Sequence, residues 1–404
     1  MFVSVVLAAL VLLSLGLLIW QFVAAARFPL HRRVADPSFA PAITILKPLK
    51  GFDEHTAECL RSWLAQDYCG KVQILFGVAD ATDSVCGVVR KLLQEFPSAD
   101  AELVTAPGQL GSNAKISTVT QLIRRAKHEV VCLSDADVLA PDDFLANAVT
   151  PLRDASVGLV NCFYQLANPT TLAMRWEAIA VNADFWSQVL QSNTMKRQDF
   201  ALGAAMLVRR EILAKIGGFE SLLDYLADDY QLGHKIAETG ARIDLSPVAV
   251  ECWSRPMSFR DVWHHQLRWA RTIRVSQPLP YFFSILSNVT LWALLLALLG
   301  DFGRVPPDSV VYDDRAPNWL AALELVQTHV AGLAALIVIG VRCFVAARLN
   351  LRLTQRREML GYWWLAAAKD LLQVGIWAAS FLGNTVEWRG KKFRLVQGGK
   401  LAPF

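Results

Sequence analysis

Four long apolar stretches interrupt a chain whose middle alternates in quite a different way. Residues 2–26 carry no charge at all and 281–300 form a second uncharged run, while 320–340 is a third apolar run broken near its start by Glu324 and His329, and 362–384 a fourth that carries Lys369 and Asp370. A run of about 20 apolar residues is long enough to cross a hydrocarbon core. Between the first and second runs, residues 36–280 read instead as short β-branched segments (42–47, 72–78, 129–134, 157–162) alternating with helix-like stretches such as 54–66, 84–95 and 114–127. That alternation predicts an α/β domain, a mostly parallel sheet with helices on both faces, whose ligands sit beyond the carboxyl ends of the strands. The expected division is an anchor at 1–27, a folded domain at 36–280 that includes an interfacial helix at 258–275, and a membrane region with a basic tail at 281–404.

Charge sets the expected topology. Arg27, Arg32 and Arg33 follow the first run, whereas a cleaved signal would have its basic residues ahead of a shorter apolar core. By the positive-inside rule this is an uncleaved anchor with its N-terminus outside and the α/β domain in the cytosol. Asp301, Asp308, Asp313 and Asp314 outweigh Arg304 and Arg315 after the second run, which suits an outside loop. Arg342, Arg348, Arg352, Arg356 and Arg357 suit the inside. The fourth run contradicts a simple crossing, because the tail beyond it (Arg389, Lys391, Lys392, Arg394, Lys400) is as basic as the loop before it, and Lys369-Asp370 near its middle is costly in lipid. A re-entrant or interfacial pair of helices with the tail inside is expected. Glu324 and His329, near the start of the third run, fit snorkelling at a helix end better than a transport path.

Composition agrees with the membrane reading. Counted as AVILMFWC plus Gly, roughly 58% of the 404 residues are apolar, against about 45–50% in soluble domains. Disorder is excluded. A net charge of +4 with 19% charged residues leaves no nucleic-acid footprint. The seven cysteines (Cys59, Cys69, Cys86, Cys132, Cys162, Cys252, Cys343) include no C-x-x-C pair, and six fall in the cytosolic segment, so neither a disulfide framework nor structural zinc is expected.

Acidic residues stand where the strand-end rule directs attention. Asp80 follows the segment 72–78. Asp135 and Asp137 follow 130–133, and alternate carboxylates at a strand end can share one hard divalent ion, Mg²⁺ or Mn²⁺, bridged to a diphosphate; alone, a D-x-D also occurs in many surface turns. Asp228-Asp229 opens a helix-like segment, where acids also serve simply as partners of the helix dipole. Residues 259–274 set aromatic and basic side chains at helical spacing. They read either as a membrane-surface helix, or as one whose Arg268 faces phosphate while Trp269 stacks on an acceptor.

Taken in order, Lys47-Pro-Leu-Lys50-Gly51, Asp80, Asp135-Ala-Asp137, Leu226-Ala-Asp-Asp229-Tyr230 and His265-x-x-Arg268-Trp269, flanked by these membrane runs, resemble the ceramide glucosyltransferase family, which includes bacterial hopanoid-associated glycosyltransferases. The resemblance runs from about residue 1 to the tail Trp388-Arg-Gly-Lys-Lys-Phe393. It implies a GT-A-type, Rossmann-like cytosolic domain with N- and C-terminal transmembrane helices. The implied activity is metal-dependent, inverting transfer of a hexose from a nucleotide diphosphate sugar, a UDP-sugar by resemblance, to a membrane lipid hydroxyl such as that of ceramide or a hopanoid polyol.

On that resemblance Asp80 contacts the nucleotide base or ribose, Asp135 and Asp137 hold metal and diphosphate, and Asp229 is the catalytic base. Lys47, Lys115, Gly203, His265 and Arg268 join the donor site, with Asp228 and Trp269 on the acceptor side. Gly111-Ser-Asn113-Ala-Lys115 resembles the loop before the metal site, although Thr118 stands where an Asn is often seen. His265 occupies a position usually held by Gln or Arg, and Gln266 is one register off. The expected partners are a nucleotide sugar, a lipid acceptor and the bilayer; in a bacterium the location would be the inner membrane. Two rivals are disfavoured: a processive polysaccharide synthase needs more membrane segments to form a channel, and a non-catalytic sugar-nucleotide-binding protein has no use for a metal pair plus a separate base.

Overall fold

The computed structural model describes residues 2–299, 319–388 and 390–403, with the side chains of 319–330 excepted. The charged loop from Asp301 to Arg315, the side chains of Glu324 and His329, and Arg389 lie outside the described residues.

Eight strands form one sheet in the order β3-β2-β1-β4-β7-β6-β8-β5. They are β1 Ile43–Leu49, β2 Val72–Val78, β3 Asp100–Thr105, β4 Val130–Ser134, β5 Val138–Leu139, β6 Val157–Leu166, β7 Ala205–Arg209 and β8 Arg242–Cys252. Helix α1 is Phe2–Arg27, and the sheet is covered by α2 Thr56–Leu64, α3 Val85–Glu95, α4 Ala114–Leu122, α5 Phe144–Ala148, α6 Leu172–Ile179, α7 Trp186–Met195, α8 Arg210–Lys215 and α9 Asp228–Glu238. Every residue of β1 is buried, as a strand covered on both faces should be. Ile43 and Ile45 pack with Trp63, Phe76 and Phe144, while Leu46 packs on the other face with Leu75, Ile116 and Met206.

The expected parallel sheet is interrupted in two places, at β7 and at the short edge strand β5, which pairs antiparallel with β8. Strands β3, β2, β1 and β4 run parallel, but β7 is antiparallel to both β4 and β6. The chain leaves β6, passes through α6 and α7 without crossing the sheet, and re-enters at the same edge, so β7 must run back. The detour brings residues 203–204, just ahead of β7, beside Ser134 and Asp135 at the end of β4.

Beyond β8 come α10 Phe259–Ser276, α11 Pro278–Phe283, α12 Val289–Leu299, α13 Trp319–Thr354 and α14 Leu365–Ser380. Among the described residues, α1 and the portion Ala331–Thr354 of α13 are long and apolar enough to cross a membrane. The second uncharged run is not a straight span: Pro278–Ser287 and Val289–Leu299 meet at 55°, around Asn288, whose side chain caps Leu291 N–H and donates to the Asp370 carbonyl. Helix α14 has 16 residues, about 24 Å, short of a core of about 30 Å.

Helices α13 and α14 are fastened to the connection between α6 and α7 by charge. Arg342 of α13 bonds Asp370 of α14 and, at 2.8 Å, Asp184, which lies on the π-helical turn Ala180–Phe185 joining α6 to α7. Lys369 also pairs with both aspartates, and Thr290 Oγ1 donates to Asp370 at 2.6 Å. The two cations and two carboxylates balance, which makes burial of Lys369-Asp370 tolerable. At the other end of α13, Arg352 donates to the carbonyls of Ala25, Ala26 and Phe28, closing the C-terminus of α1.

The tail folds into a three-stranded antiparallel sheet, β9 Thr385–Trp388, β10 Lys391–Leu395 and β11 Leu401–Pro403. Val386, Phe393, Leu395 and Leu401 pack against Leu226 and Val275. Leu401 N–H donates to Asp224 C=O at 2.7 Å, and Gln231 Nε2 to Gly398 C=O at 2.9 Å. The tail therefore packs directly on the segment 224–231 of the α/β domain.

Candidate active site

The carboxylates gather at the edge of the sheet where β4 ends and β7 begins. Asp135 leaves β4 in a turn whose backbone is held twice: its N–H donates to Ala204 C=O at 3.1 Å, and its C=O accepts from Lys47 Nζ. Ala204 adopts a φ of 81°, the left-handed region that side-chain-bearing residues avoid. Lys47, expected at the donor, does not reach the cleft. It is fully buried on the inward face of β1, over the Trp63 ring at 4.8 Å, and its ammonium also donates to Ser134 Oγ at 3.2 Å. Burial lowers its pKa to about 8. Lys47 thus braces the D-x-D turn from beneath.

Lys115 joins the two acidic elements. It stands in the first turn of α4, whose N-cap Asn113 accepts from Ile116 N–H at 3.0 Å. Its Nζ lies 2.7 Å from Asp135 Oδ1 and 3.0 Å from Asp228 Oδ2. Burial alone would pull this ammonium down, but the two carboxylates more than reverse that and hold it above its ordinary value.

Asp228 and Asp229 do open α9, and Asp229 Oδ1 accepts from Tyr230 N–H at 2.7 Å, as helix-end acids do. Its other oxygen has a separate task, accepting from Gly203 N–H at 2.7 Å. Burial and the adjacent Asp228 push the Asp229 pKa up to about 6. Asp137 lines the cleft and is exposed to solvent, though protein crowds around it. That crowding, with the like charge of Asp135, raises it to about 6 as well.

Two carboxylates on one turn repel unless a cation intervenes, and an all-oxygen pair suits a hard divalent ion. Among the described residues no three His, Cys, Asp or Glu side chains gather to hold an ion unaided. Asp135 and Asp137 would leave most coordination positions to other oxygens.

Asp80 stands two strands over, exposed after β2. Its Oδ1 accepts from Thr82 N–H at 2.8 Å and Thr82 Oγ1 at 2.7 Å, which holds its pKa below the usual carboxylate range. Gly51, at φ 65°, donates to Asp83 in the same loop and so joins the end of the K-P-L-K-G segment to it.

A cleft of about 440 Å³ opens beside Asp137, lined by Met174 and Glu177 of α6, by Cys252 and Trp253, and by His265 and Arg268 of α10. The α10 start is fixed by a capping box between Ser258 and Asp261. The His265 ring packs on Trp269, centroids 4.4 Å apart. Glu177 and Asp184 escaped the sequence reading. The one available signal was an isolated acid in each case among the apolar neighbours of 172–186.

The model of the family described as glycosyl transferase family 21 matches residues 6–312 and 314–401. The chain belongs to glycosyl transferase family 21. Ceramide glucosyltransferase 3 of Caenorhabditis elegans is 23% identical over 389 residues, covering 94% of this chain and 78% of its own. An N-acetylglucosaminyltransferase of Bradyrhizobium diazoefficiens is 24% identical over 247 residues, 57% of this chain and 49% of its own. The mannosyltransferase PcManGT from Pyrobaculum calidifontis, in complex with GDP-Man and Mn²⁺, shares the fold at a TM-score of 0.51 and 20% identity, covering 94% of this chain and 98% of its own. The expected resemblance and the GT-A-type fold with apolar helices at both ends are borne out. This family 21 member is a nucleotide-sugar glycosyltransferase.

Proposed function

We propose that the enzyme transfers a hexose, with inversion, from a UDP-sugar such as UDP-glucose to a membrane lipid hydroxyl, that of ceramide or a hopanoid polyol, at the cytosolic face of its membrane. The observation that carries this reading is the pairing of Asp229 with Gly203 beside the Asp135-Asp137 turn, in a domain pinned to apolar helices. The ceramide glucosyltransferases among its relatives support a lipid acceptor.

In this reading Asp229 takes the proton of the lipid hydroxyl as that oxygen bonds the anomeric carbon, the bond to the diphosphate oxygen breaks, and the nucleoside diphosphate leaves. With a pKa of about 6, Asp229 is mostly ionised at neutral pH and still basic enough to accept a proton. Asp135 and Asp137 would hold Mg²⁺ or Mn²⁺, which when bound supplies positive charge to the diphosphate. Arg268 adds fixed charge to the leaving group, Asp80 meets the base or ribose, Gly203 lets the backbone approach the sugar, and Asp228 and Trp269 face the acceptor. Lys115 keeps Asp135 and Asp228 in register.

The test is product formation in nanodiscs with a panel of nucleotide sugars, Mn²⁺ or Mg²⁺ and mixed lipids, comparing the native chain with Asp229→Asn. A glycolipid that requires metal, and is lost in the variant while donor still binds, is expected. A soluble polymer, or donor binding without transfer by the native chain, would overturn the reading.

A further inference from the structure

Glu177 is 1% exposed, yet faces α10 across the cleft wall. Its Oε1 accepts from Gln266 Nε2 at 2.8 Å and lies 2.7 Å from His265 Nδ1, an ion-pair distance off the line of a hydrogen bond. A buried carboxylate needs compensation by donors or a cation. Gln266 supplies one donor, and His265 Nδ1 is the other polar atom within reach of the carboxylate. Trp269 packs against the same ring, centroids 4.4 Å apart and tilted by 57°, which restricts how the imidazole can turn. The other charged groups around this cleft are Asp261, His264 and Arg268 of α10, Asp137 of the D-x-D turn and Glu387 of β9.

We infer that Glu177 is a positioning residue: through its contacts with His265 and Gln266 it fixes the His265 ring beside Arg268, so that the cleft presents both side chains to the diphosphate of the nucleotide sugar. The inference rests on the donor-site reading above.

A double-mutant cycle tests this with Glu177→Gln, His265→Gln and the double variant in nanodiscs. Binding of uridine diphosphate with Mn²⁺ is measured by calorimetry without turnover, alongside kcat and KM for donor and lipid and a melting curve for each protein. Glu177→Gln is expected to weaken nucleotide binding and raise the donor KM roughly tenfold, with the lipid KM within about twofold. In the His265→Gln background the same change should alter nucleotide binding by less than about twofold. Equal losses in both backgrounds mean that Glu177 serves packing alone, and no loss in either means that it does not act on the donor; each result overturns the inference. Binding is read separately from transfer, so failure to make glycolipid would reject the proposed function while leaving this coupling measurable.

Discussion

Replacing Gly203 by alanine perturbs the proposed base at a single contact. The backbone of Gly203 lies outside the left-handed region, so alanine adopts it without strain, and the effect comes from the added Cβ alone. That atom would stand 2.8 Å from Asp229 Oδ2, where ordinary contact begins at 3.4 Å, so the carboxylate must retreat by about 0.6 Å. The 2.7 Å bond from Gly203 N–H then stretches to about 3.3 Å, past the usual range. A displacement approaching 1 Å at a reacting group costs up to about 100-fold. The expected fall in kcat is therefore about 10- to 100-fold, or ~1.4–2.7 kcal/mol of barrier, with the donor KM changed less than about threefold. Initial rates at saturating donor and lipid, paired with a melting curve, measure it. A kcat within twofold of native in a protein that melts normally would refute the idea that Gly203 positions the base.

Three further outcomes follow from the same geometry. Transfer should rise with pH through about 6, because both Asp229 and Asp137 must lose protons; Lys115→Met removes a cation that favours the ionised form of each and should move this limb upward in a pH-rate profile, an unmoved limb counting against the bridge. Because the folded pKa of Asp229 is raised, its ionisation opposes folding above the unfolded value near 4, fully so above 6; Asp229→Asn should therefore stabilise the protein at pH 8 by on the order of 1–3 kcal/mol and by nothing below pH 4, as read by melting at the two pH values. Arg342→Met leaves Asp184 and Asp370 sharing Lys369 alone and should cost about 3–5 kcal/mol of stability in detergent, part of which Asp370→Asn in the same chain restores; a native melting temperature for the single variant would discount the cluster.

Much of the site was legible because strand ends advertise themselves. The apolar run before Asp135 and the helix-like segment after Asp228 are found as β4 and α9, with one acid just past the strand and the other opening the helix. The buried position of Lys47 also had a signal in the sequence. Alternation along Ile43, Ile45, Lys47 and Leu49 points the lysine inward with its apolar neighbours, and a strand covered on both faces has no solvent side to offer it. The bend near Asn288 was equally visible as a polar pair, Ser287-Asn288, inside an uncharged run. The reversed β7, the Glu177 pairing and the Asp184 cluster had no such local sign. Asp184 meets Arg342 across 158 positions of chain, and Glu177 meets Gln266 across 89. Partners so far apart are chosen by packing, which no short window of sequence contains.

The tail sheet also orders events in time. The segment Asp224–Gln231, which carries Asp229, is latched by residues 398–401, and these follow all of the described apolar helices in the chain and so are synthesised after them. A growing chain can thus complete its nucleotide pocket long before its base is secured. Ribosome-bound chains halted before residue 398 are expected to bind uridine diphosphate yet transfer little sugar until the last strand docks, so sugar nucleotide would not be consumed by an enzyme still being threaded into its membrane. Full transfer by such halted chains would show that the latch is dispensable.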